Sequence, residues 1–356
     1  MLTSDNTVKR VRRYGHTREE VHKKLIGLQD RSARGVPVAN KSWKVGDYLE
    51  YWLAEVVRPS KSWNTYKKYE QTVRLYLKPG LGNQPLERLR VARVQAFLNG
   101  RVQCGDSVAK VHVMRTTLSA CLTRAMHEEL ITINVARLAT LPPDRPQRNR
   151  PWSADEARRF LDSACNDPLY PAFVLLLVYG LRRGEVLGFR WEDVDLEENQ
   201  LRVDGQLQRR DGQLVRTRVK TEAGQRTLPL LPIARDGLVE LAGWQAEARE
   251  RAGHGWLGTG YVFTTRSGRP VEPRNLARSF ERLTKAAGLR PIRLHDLRHT
   301  VASLLKKLRT APNDAKEILG HARISTTMEI YTRGDEDDQR AALDRISDVL
   351  FGEAAG

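Results

Sequence analysis

A proline-rich stretch near the middle of the chain most constrains the fold. Residues 141–151 read Leu-Pro-Pro-Asp-Arg-Pro-Gln-Arg-Asn-Arg-Pro, with four prolines among 11 residues. Proline lacks a backbone N–H and fixes φ, so this stretch can continue neither a helix nor a central strand. It predicts an extended linker at residues 142–151 between parts of the chain that fold around separate cores.

The periodicity on either side of the linker predicts a mainly α protein. Residues 42–141 carry apolar side chains at helical spacing throughout, which indicates an all-α domain. Residues 152–356 are mostly helical in pattern, but strand-like runs between 201 and 230 predict a small antiparallel sheet, so this domain is mixed α+β. Residues 1–41 form a basic N-terminal segment in which Thr17 N-caps a helix.

Two Asp-Gly pairs within the strand-like region are predicted hairpin turns. Asp204-Gly205 and Asp211-Gly212 each lie between runs of alternating apolar and polar residues. Asp-Gly favours the two-residue turns that join antiparallel strands. A further short strand is predicted at Tyr261-Val262-Phe263.

Positive charge is concentrated in the N-terminal part of the chain. The net charge is +17, and residues 1–151 contribute +15 of it, with 28 Lys and Arg against 13 Asp and Glu. A polyanionic partner, most simply nucleic acid, accounts for this asymmetry. The alternative is that the excess charge serves only solubility. The phosphate-contact candidates are Lys61, Lys67, Lys68, Arg74, Arg148 and Arg150.

Other sequence features indicate a reduced intracellular setting. The three cysteines, Cys104, Cys121 and Cys165, lack metal-ligand spacing. No apolar run approaches membrane-spanning length, and the N-terminus lacks the apolar core of a signal peptide. We expect a cytoplasmic protein of a bacterium, associated with the nucleoid when bound to DNA.

The domain at 152–356 contains a set of residues suited to phosphate chemistry. A tyrosine can serve as a covalent nucleophile, and cationic or donor groups stabilise a phosphoryl transition state. Each of these residues also has a structural interpretation, such as a solvated turn lysine or a half-buried tyrosine. The candidates are Arg182, Glu185, Lys220, His295, Arg298, His321 and Tyr331.

These candidates lie in motifs that resemble those of the tyrosine recombinases, or phage integrases. The motifs are Gly180-Leu181-Arg182-Arg183-Gly184-Glu185, Lys220-Thr221 ahead of Arg226-Thr227-Leu228-Pro229-Leu230, His295-Asp296-Leu297-Arg298-His299-Thr300, Leu319-Gly320-His321 and Tyr331-Thr332. Their order agrees with the family, as do the 23 residues from Arg298 to His321 and the 10 from His321 to Tyr331. The resemblance implies a SAM-like core-binding domain at 42–141 and a catalytic domain at 152–356. Residues 1–35 resemble only the last strand and helix of an arm-binding domain.

The resemblance also implies roles for the candidates. Tyr331 attacks the scissile phosphate, while Arg182, Arg298 and His321 bind its oxygens. Lys220 is the general acid, His295 moves protons, and Glu185 orients Arg182 or His295. No metal or cofactor is required. His299 is interpreted as structural.

The expected function is a site-specific recombinase that integrates or excises a mobile element. The alternatives are an Xer-like dimer resolvase, a type IB topoisomerase-like relaxing enzyme, or a DNA-binding regulator that does not cleave. The expected partners are double-stranded attachment sites, three further copies in a tetramer, an excision or directionality factor and a host DNA-bending protein; no membrane is involved.

Overall fold

The computed structural model describes residues 17–22, 25–26, 43–143, 150–219, 222–320 and 322–331. The chain divides into two compact units, residues 1–147 and 148–356. In the short described piece near the N-terminus, the Thr17 hydroxyl accepts a hydrogen bond from the Glu20 N–H, as the capping motif predicts. Across these ranges, no helix combines the length and apolar character needed to cross a membrane.

The first unit is helical over its described residues. Two of its helices pass through π-helical stretches without a break, Trp52–Val57 and Val73–Leu77. Its helices are α1 (Val45–Tyr51, extended by Trp52–Val57 and Arg58–Ser60), α2 (Trp63–Thr72, extended by Val73–Leu77 and Lys78–Leu81), α3 (Val91–Gln103), α4 (Val108–His127) and α5 (Val135–Leu138).

The core of the first unit is built from the apolar stripes of these helices. Met114 and Leu118 of α4 are fully buried. Tyr48 is also buried, and its hydroxyl donates to Glu128 Oε2 at 2.8 Å. Trp52 stacks on Tyr69 with ring centroids 5.2 Å apart. Tyr48 and Trp52 are therefore part of the core packing of this unit.

The second unit combines helices with short strands. Its helices are α6 (Ala154–Ala164), α7 (Tyr170–Val178), α8 (Arg183–Gly188), α9 (Pro232–Ala252), α10 (Pro273–Ala286), α11 (Asp296–Lys307), α12 (Pro312–Leu319) and α13 (Ile324–Tyr331), and its strands are β1 (Val194–Asp195), β2 (Gln200–Val203), β3 (Gly205–Arg210), β4 (Gln213–Arg218) and β5 (Arg226–Pro229).

The strands form two antiparallel sheets. One has the order β1-β2-β5 and the other pairs β3 with β4. Asp211 and Gly212 both have positive φ, as a type I′ turn requires, so the hairpin predicted there is confirmed.

The hairpin predicted at Asp204-Gly205 is wrong. Strand β2 pairs with β5, placing Leu201 opposite Leu228, and the chain leaves one sheet for the other at Asp204. Arg216 holds this crossing point, since its guanidinium binds the Asp204 carboxylate at 3.0 Å. The strand predicted at 261–263 is also wrong: Tyr261 makes an isolated bridge to Arg190, and the Val262 N–H donates to the Phe189 carbonyl at 3.0 Å, without a continuous ladder.

An aromatic cluster forms the centre of the second unit. Trp152, Phe160, Phe173 and Phe280 are each at most 2% exposed, and their ring centroids lie 5.1–6.3 Å apart where they meet. The very apolar helix α7 supplies Phe173 and is buried over almost its whole length.

The C-terminal end of the linker is fixed to the second unit. The Arg290 guanidinium donates to the Pro151 carbonyl at 2.6 Å and binds Glu156. The Trp152 N–H donates to Thr300 Oγ1 at 3.1 Å, which bonds the start of the unit to helix α11. Helix α6 then begins after an N-cap at Ser153, whose hydroxyl accepts from the Glu156 N–H.

We expect Phe160→Ala to lower the free energy of unfolding of the second unit by about 3–5 kcal/mol, because it opens a cavity among three other aromatic rings. Leu308→Ala is the control, since Leu308 is 76% exposed; its effect should stay within about 0.5 kcal/mol. Urea denaturation followed by circular dichroism measures both. A loss below about 1 kcal/mol in Phe160→Ala would contradict a core centred on these rings.

Candidate active site

Arg182 lies where the apolar helix α7 has ended and α8 begins. It is the residue before α8, with extended backbone, and its N–H donates to Glu185 Oε2 at 3.1 Å. Its guanidinium donates to Glu185 Oε1 at 2.6 Å and to the Gly320 carbonyl at 3.1 Å. Two of its five N–H groups are therefore used, and the side chain remains 40% exposed. The remaining donors can bind an external anion.

Arg298 is the buried partner of Arg182. It is 6% exposed and donates to the Gly180 carbonyl at 2.7 Å and to the Leu319 carbonyl. Burial and the neighbouring charge of Arg182 lower its pKa to about 9. The guanidinium stays protonated at neutral pH, and three of its N–H groups remain for other acceptors.

Arg226 is a third arginine that binds the C-terminal end of α12, as Arg182 and Arg298 do. Arg226 Nε donates to the Ile318 carbonyl at 3.0 Å. The carbonyls of residues 318, 319 and 320 thus accept from Arg226, Arg298 and Arg182 in turn. The last carbonyls of a helix have no partner inside the helix and carry partial negative charge, so they are suited to guanidinium groups.

Glu185 is the buried counter-charge of this group. It is 2% exposed and binds Arg182 and, at 3.4 Å, Arg226. Burial by itself raises the pKa of a carboxyl group, but here the two arginines outweigh it and lower the pKa of Glu185. Glu185 was expected to orient either Arg182 or His295. Among the described residues, its ion pairs are with arginines, Arg182 and Arg226.

His295 stands at the exposed edge of the site. It is the residue before α11, and its ring lies 5.7 Å from that of His299 in an edge-to-face arrangement. Removal of water around the ring, and then the charges of His299 and Arg298, lower the pKa of His295 below its ordinary value. A neutral imidazole at pH 7 can accept a proton.

Tyr331 ends helix α13, which packs against α11 and α12. Its hydroxyl oxygen is buried, and no hydrogen-bond partner for it occurs among the described residues. Burial, and to a lesser extent Asp314, raise the pKa of Tyr331. A buried hydroxyl without a partner is rare in folded proteins.

Some predicted residues lie outside the described part of the chain, namely Lys220, His321 and Arg148. Their roles stay predictions. Residues next to two of them are described. Gly320 is the left-handed C-cap of α12, so position 321 comes directly after the end of that helix. The next described helix, α13, begins at Ile324.

Arg226 was not among the residues predicted from the sequence to act in the site. A signal for it was present, because alternation along β5 places Arg226 on the same face as Leu228 and Leu230, both buried. A charged residue on a buried strand face needs a partner, and that partner is Glu185.

The basic candidates of the first unit and the linker end are exposed. Lys61, Lys67, Lys68 and Arg74 all lie on the surface, as does Arg150. Lys67 Nζ is 4.8 Å from the centre of the Trp63 ring, and Arg74 is paired with Glu70 at 2.8 Å. Arg74 would have to exchange that partner to contact a phosphate.

A cleft of about 870 Å³ opens beside the arginines of the second unit. Arg182, Arg183, Arg293 and His295 contribute to its wall. Arg293 pairs with the carboxylate of Asp296 at 2.8 Å and Arg182 with that of Glu185 at 2.6 Å, and Glu281 also lines the cleft. Within the described residues, no group of three or more His, Cys, Asp or Glu could hold a metal ion.

Two family models match parts of the chain, and a known protein is similar over most of its length. Residues 152–338, just over half of the chain, match the family model described as "Phage integrase family", and residues 44–101 match "Phage integrase, N-terminal SAM-like domain". A tyrosine recombinase XerC-like protein of Caldanaerobacter subterraneus is 27% identical; the match covers 95% of this chain and 91% of that protein.

Solved structures share the fold. The Tn1549 transposon integrase in complex with a circular intermediate DNA has a TM-score of 0.73 at 22% identity, and the match covers 86% of this chain and 100% of that chain. A lambda integrase tetramer bound to a Holliday junction has a TM-score of 0.59 at 21% identity, with 91% and 90% covered.

We expect Glu185→Gln to lower the free energy of unfolding by about 3–5 kcal/mol at pH 7, because it leaves Arg226 buried without a counter-charge. Since the pKa of Glu185 is lowered in the folded protein, its stabilisation is present above the ordinary carboxyl pKa of 4.5 and is lost as the pH falls through the lowered value. The difference between the variant and the wild type should therefore shrink in acid.

Glu247→Gln is the matched control for that experiment. Glu247 pairs with Arg251 at 3.5 Å, and both side chains are about 70% exposed, so its removal should hardly change stability. Urea denaturation at several pH values measures both variants. Equal effects of the two substitutions would show that Glu185 is not the counter-charge of the site.

Proposed function

The chain belongs to the phage integrase family and is a site-specific tyrosine recombinase, and from this premise we propose that Tyr331 is the nucleophile that cuts and rejoins its DNA. The observation that carries this proposal is the buried Tyr331 hydroxyl, which lacks a partner among the described residues on a helix packed against α11 and α12. Its oxygen attacks the scissile phosphorus, the bond to the 5′-oxygen breaks, and a 3′-phosphotyrosyl linkage forms.

Arg182 and Arg298 hold the phosphate in this proposal. Phosphoryl transfer depends above all on neutralising charge on the nonbridging oxygens, and guanidinium groups can bind them as planar forks. Each arginine is fixed by two bonds to the protein and keeps three N–H groups. His321 donates a further hydrogen bond to the same phosphate.

The remaining steps move protons. The phenol must lose its proton as it attacks, and its raised pKa means that an acceptor is needed; neutral His295 serves as that acceptor. Lys220 gives a proton to the leaving 5′-oxygen. In the reverse direction the 5′-hydroxyl attacks the phosphotyrosyl bond, which has kept the energy of the backbone linkage, so rejoining needs no ATP.

Double-stranded DNA is the proposed partner. The lambda integrase structure is a tetramer bound to a Holliday junction, and we extend this assembly to four copies of the present chain acting on two duplexes. The exposed lysines Lys61, Lys67 and Lys68, together with Arg150, supply phosphate contacts. A directionality factor and a host DNA-bending protein are the proposed accessory partners.

Integration or excision of a mobile element is the proposed biological role, supported by the likeness to the Tn1549 transposon integrase. The name of the XerC-like relative favours a second candidate, the resolution of DNA dimers. Two substrates distinguish these roles: a plasmid with two directly repeated copies of one site, and a pair of unlike attachment sites. A dimer resolvase acts on the repeats alone, whereas an integrase joins the unlike sites.

We expect Tyr331→Phe to abolish the covalent protein–DNA adduct on a nicked suicide substrate, because phenylalanine has no oxygen to attack phosphorus. Denaturing gel electrophoresis measures the adduct. Tyr170→Phe is the matched control, since Tyr170 is a half-buried tyrosine at the start of α7, and it should form the adduct as the wild type does. An adduct that persists in Tyr331→Phe would identify another nucleophile.

We expect the cleavage rate to fall in acid as His295 becomes protonated, with the midpoint below its ordinary pKa of 6.5. His299→Gln should move that midpoint to higher pH, because two imidazolium rings 5.7 Å apart repel each other. Arg298, Arg182 and Asp296 also act on His295 and are unchanged in this variant.

The midpoint is obtained from the rate of single-turnover cleavage, measured from about pH 5 to pH 8. The control is His254→Gln, on the turn Gly253–Gly255 after α9, which should leave the midpoint unchanged. A midpoint that stays in place or falls in His299→Gln would contradict the proton-acceptor role of His295.

A further inference from the structure

We propose that Arg226 is a positioning residue for DNA cleavage, which holds the segment that follows Lys220 against the helix end that supports Arg182 and Arg298. Arg226 is the first residue of β5, and its side chain is 9% exposed. It is too buried to contact a duplex, so it acts through other residues. The inference rests on the function proposed above.

Three separate segments meet at the Arg226 guanidinium. Nε donates to the Ile318 carbonyl of α12 at 3.0 Å. Nη1 donates to the Gly224 carbonyl at 3.0 Å, and Nη2 reaches Glu185 Oε2 at 3.4 Å. Gly224 follows Lys220 by four residues in the sequence. A single planar group therefore bonds to the connection between β4 and β5, to α8 and to α12.

The backbone at Gly320 leaves space for this guanidinium. A Cβ atom on Gly320 would lie 2.5 Å from Arg226 Nη1 and 3.2 Å from the Ala223 carbonyl oxygen. Gly320 also has φ +64°, a conformation that other residues rarely adopt. Its carbonyl accepts from Arg182. The close approach of Arg226 and the support of Arg182 thus occur at the same peptide.

Stability alone gives a weak reason for this arrangement. Burial lowers the pKa of Arg226, which reflects the cost of keeping its charge away from water. A buried ion pair is often no more stabilising than apolar side chains of similar volume. What an apolar residue could not do is fix three carbonyl or carboxylate groups from different segments in one plane. The geometry therefore favours a role in orientation.

The consequence for cleavage is specific to the leaving group. Loss of the bond to Gly224 releases the segment after Lys220, the proposed general acid. With a natural substrate, the 5′-oxygen must gain a proton as the P–O bond breaks. With sulfur in place of that bridging oxygen, the thiolate leaves without a proton because thiols are far more acidic than alcohols. A defect in the general acid is therefore relieved by the sulfur substrate.

The test compares single-turnover cleavage of the two substrates by Arg226→Lys, which keeps the charge and loses the planar fork. We expect cleavage of the natural substrate to slow about tenfold or more, and the sulfur substrate to recover most of that loss. DNA affinity and melting temperature should remain close to wild type. Arg202→Lys is the matched control: Arg202 lies opposite Thr227 on strand β2 with its side chain 57% exposed, and both substrates should react at the wild-type rate.

A second variant tests the contact from the other side. Gly320→Ala keeps Arg226 in the sequence but places a methyl group 2.5 Å from Nη1 and strains the peptide that supports Arg182, so we expect both substrates to slow and the sulfur substrate to recover only part of the loss. Equal slowing of both substrates by Arg226→Lys would overturn the inference, and so would wild-type rates on both.

Two reference results separate this inference from the proposed function. The wild type must form the adduct, and Lys220→Ala must recover with the sulfur substrate. No adduct from the wild type would contradict the recombinase mechanism itself, and no recovery of Lys220→Ala would contradict the role of Lys220. In either case the role of Arg226 falls as well.

Discussion

The arrangement of the second unit around its arginines depends on one helix end. Three successive carbonyls, at residues 318 to 320, each accept from a different arginine. These arginines come from the start of α8, the start of β5 and the first turn of α11, so the end of α12 ties together segments that are far apart in sequence. Because a helix end cannot satisfy its last carbonyls by itself, it is a natural place to fix side chains that must present their remaining donors elsewhere.

Among the described residues, the charges at this place do not balance. Arg182, Arg226 and Arg298 stand against one buried carboxylate, that of Glu185. Burial first, and then repulsion from neighbouring positive groups, lower the pKa of Arg298 and of His295. In the mechanism proposed above, a phosphate diester relieves part of that repulsion when it binds. The guanidinium groups are already fixed by the protein, and in that mechanism such preorganised electrostatics reduces the barrier to phosphoryl transfer.

The sequence predicted local features well and long-range pairing poorly. The helices followed from apolar periodicity, and the Asp211-Gly212 turn followed from two residues that tolerate positive φ. The same reasoning was wrong at Asp204-Gly205, because the choice of β5 as the partner of β2 depends on packing that no local pattern contains. The motifs predicted Arg182, Glu185 and Arg298 but not the backbone carbonyls at the end of α12 that the two arginines bind, since backbone acceptors leave no mark on residue identity. Arg226 could have been found from strand alternation combined with the cost of burying a charge.

The contact between Gly320 and Arg226 also limits which substitutions this protein can accept during evolution. A side chain at 320 collides with the guanidinium while Arg226 is present, and loss of Arg226 leaves Glu185 with one partner fewer. Neither position can therefore vary first without harm, and a lineage that changes one must pass through a poorer intermediate or change both together. Among descendants of this chain, the two residues should be inherited as a unit.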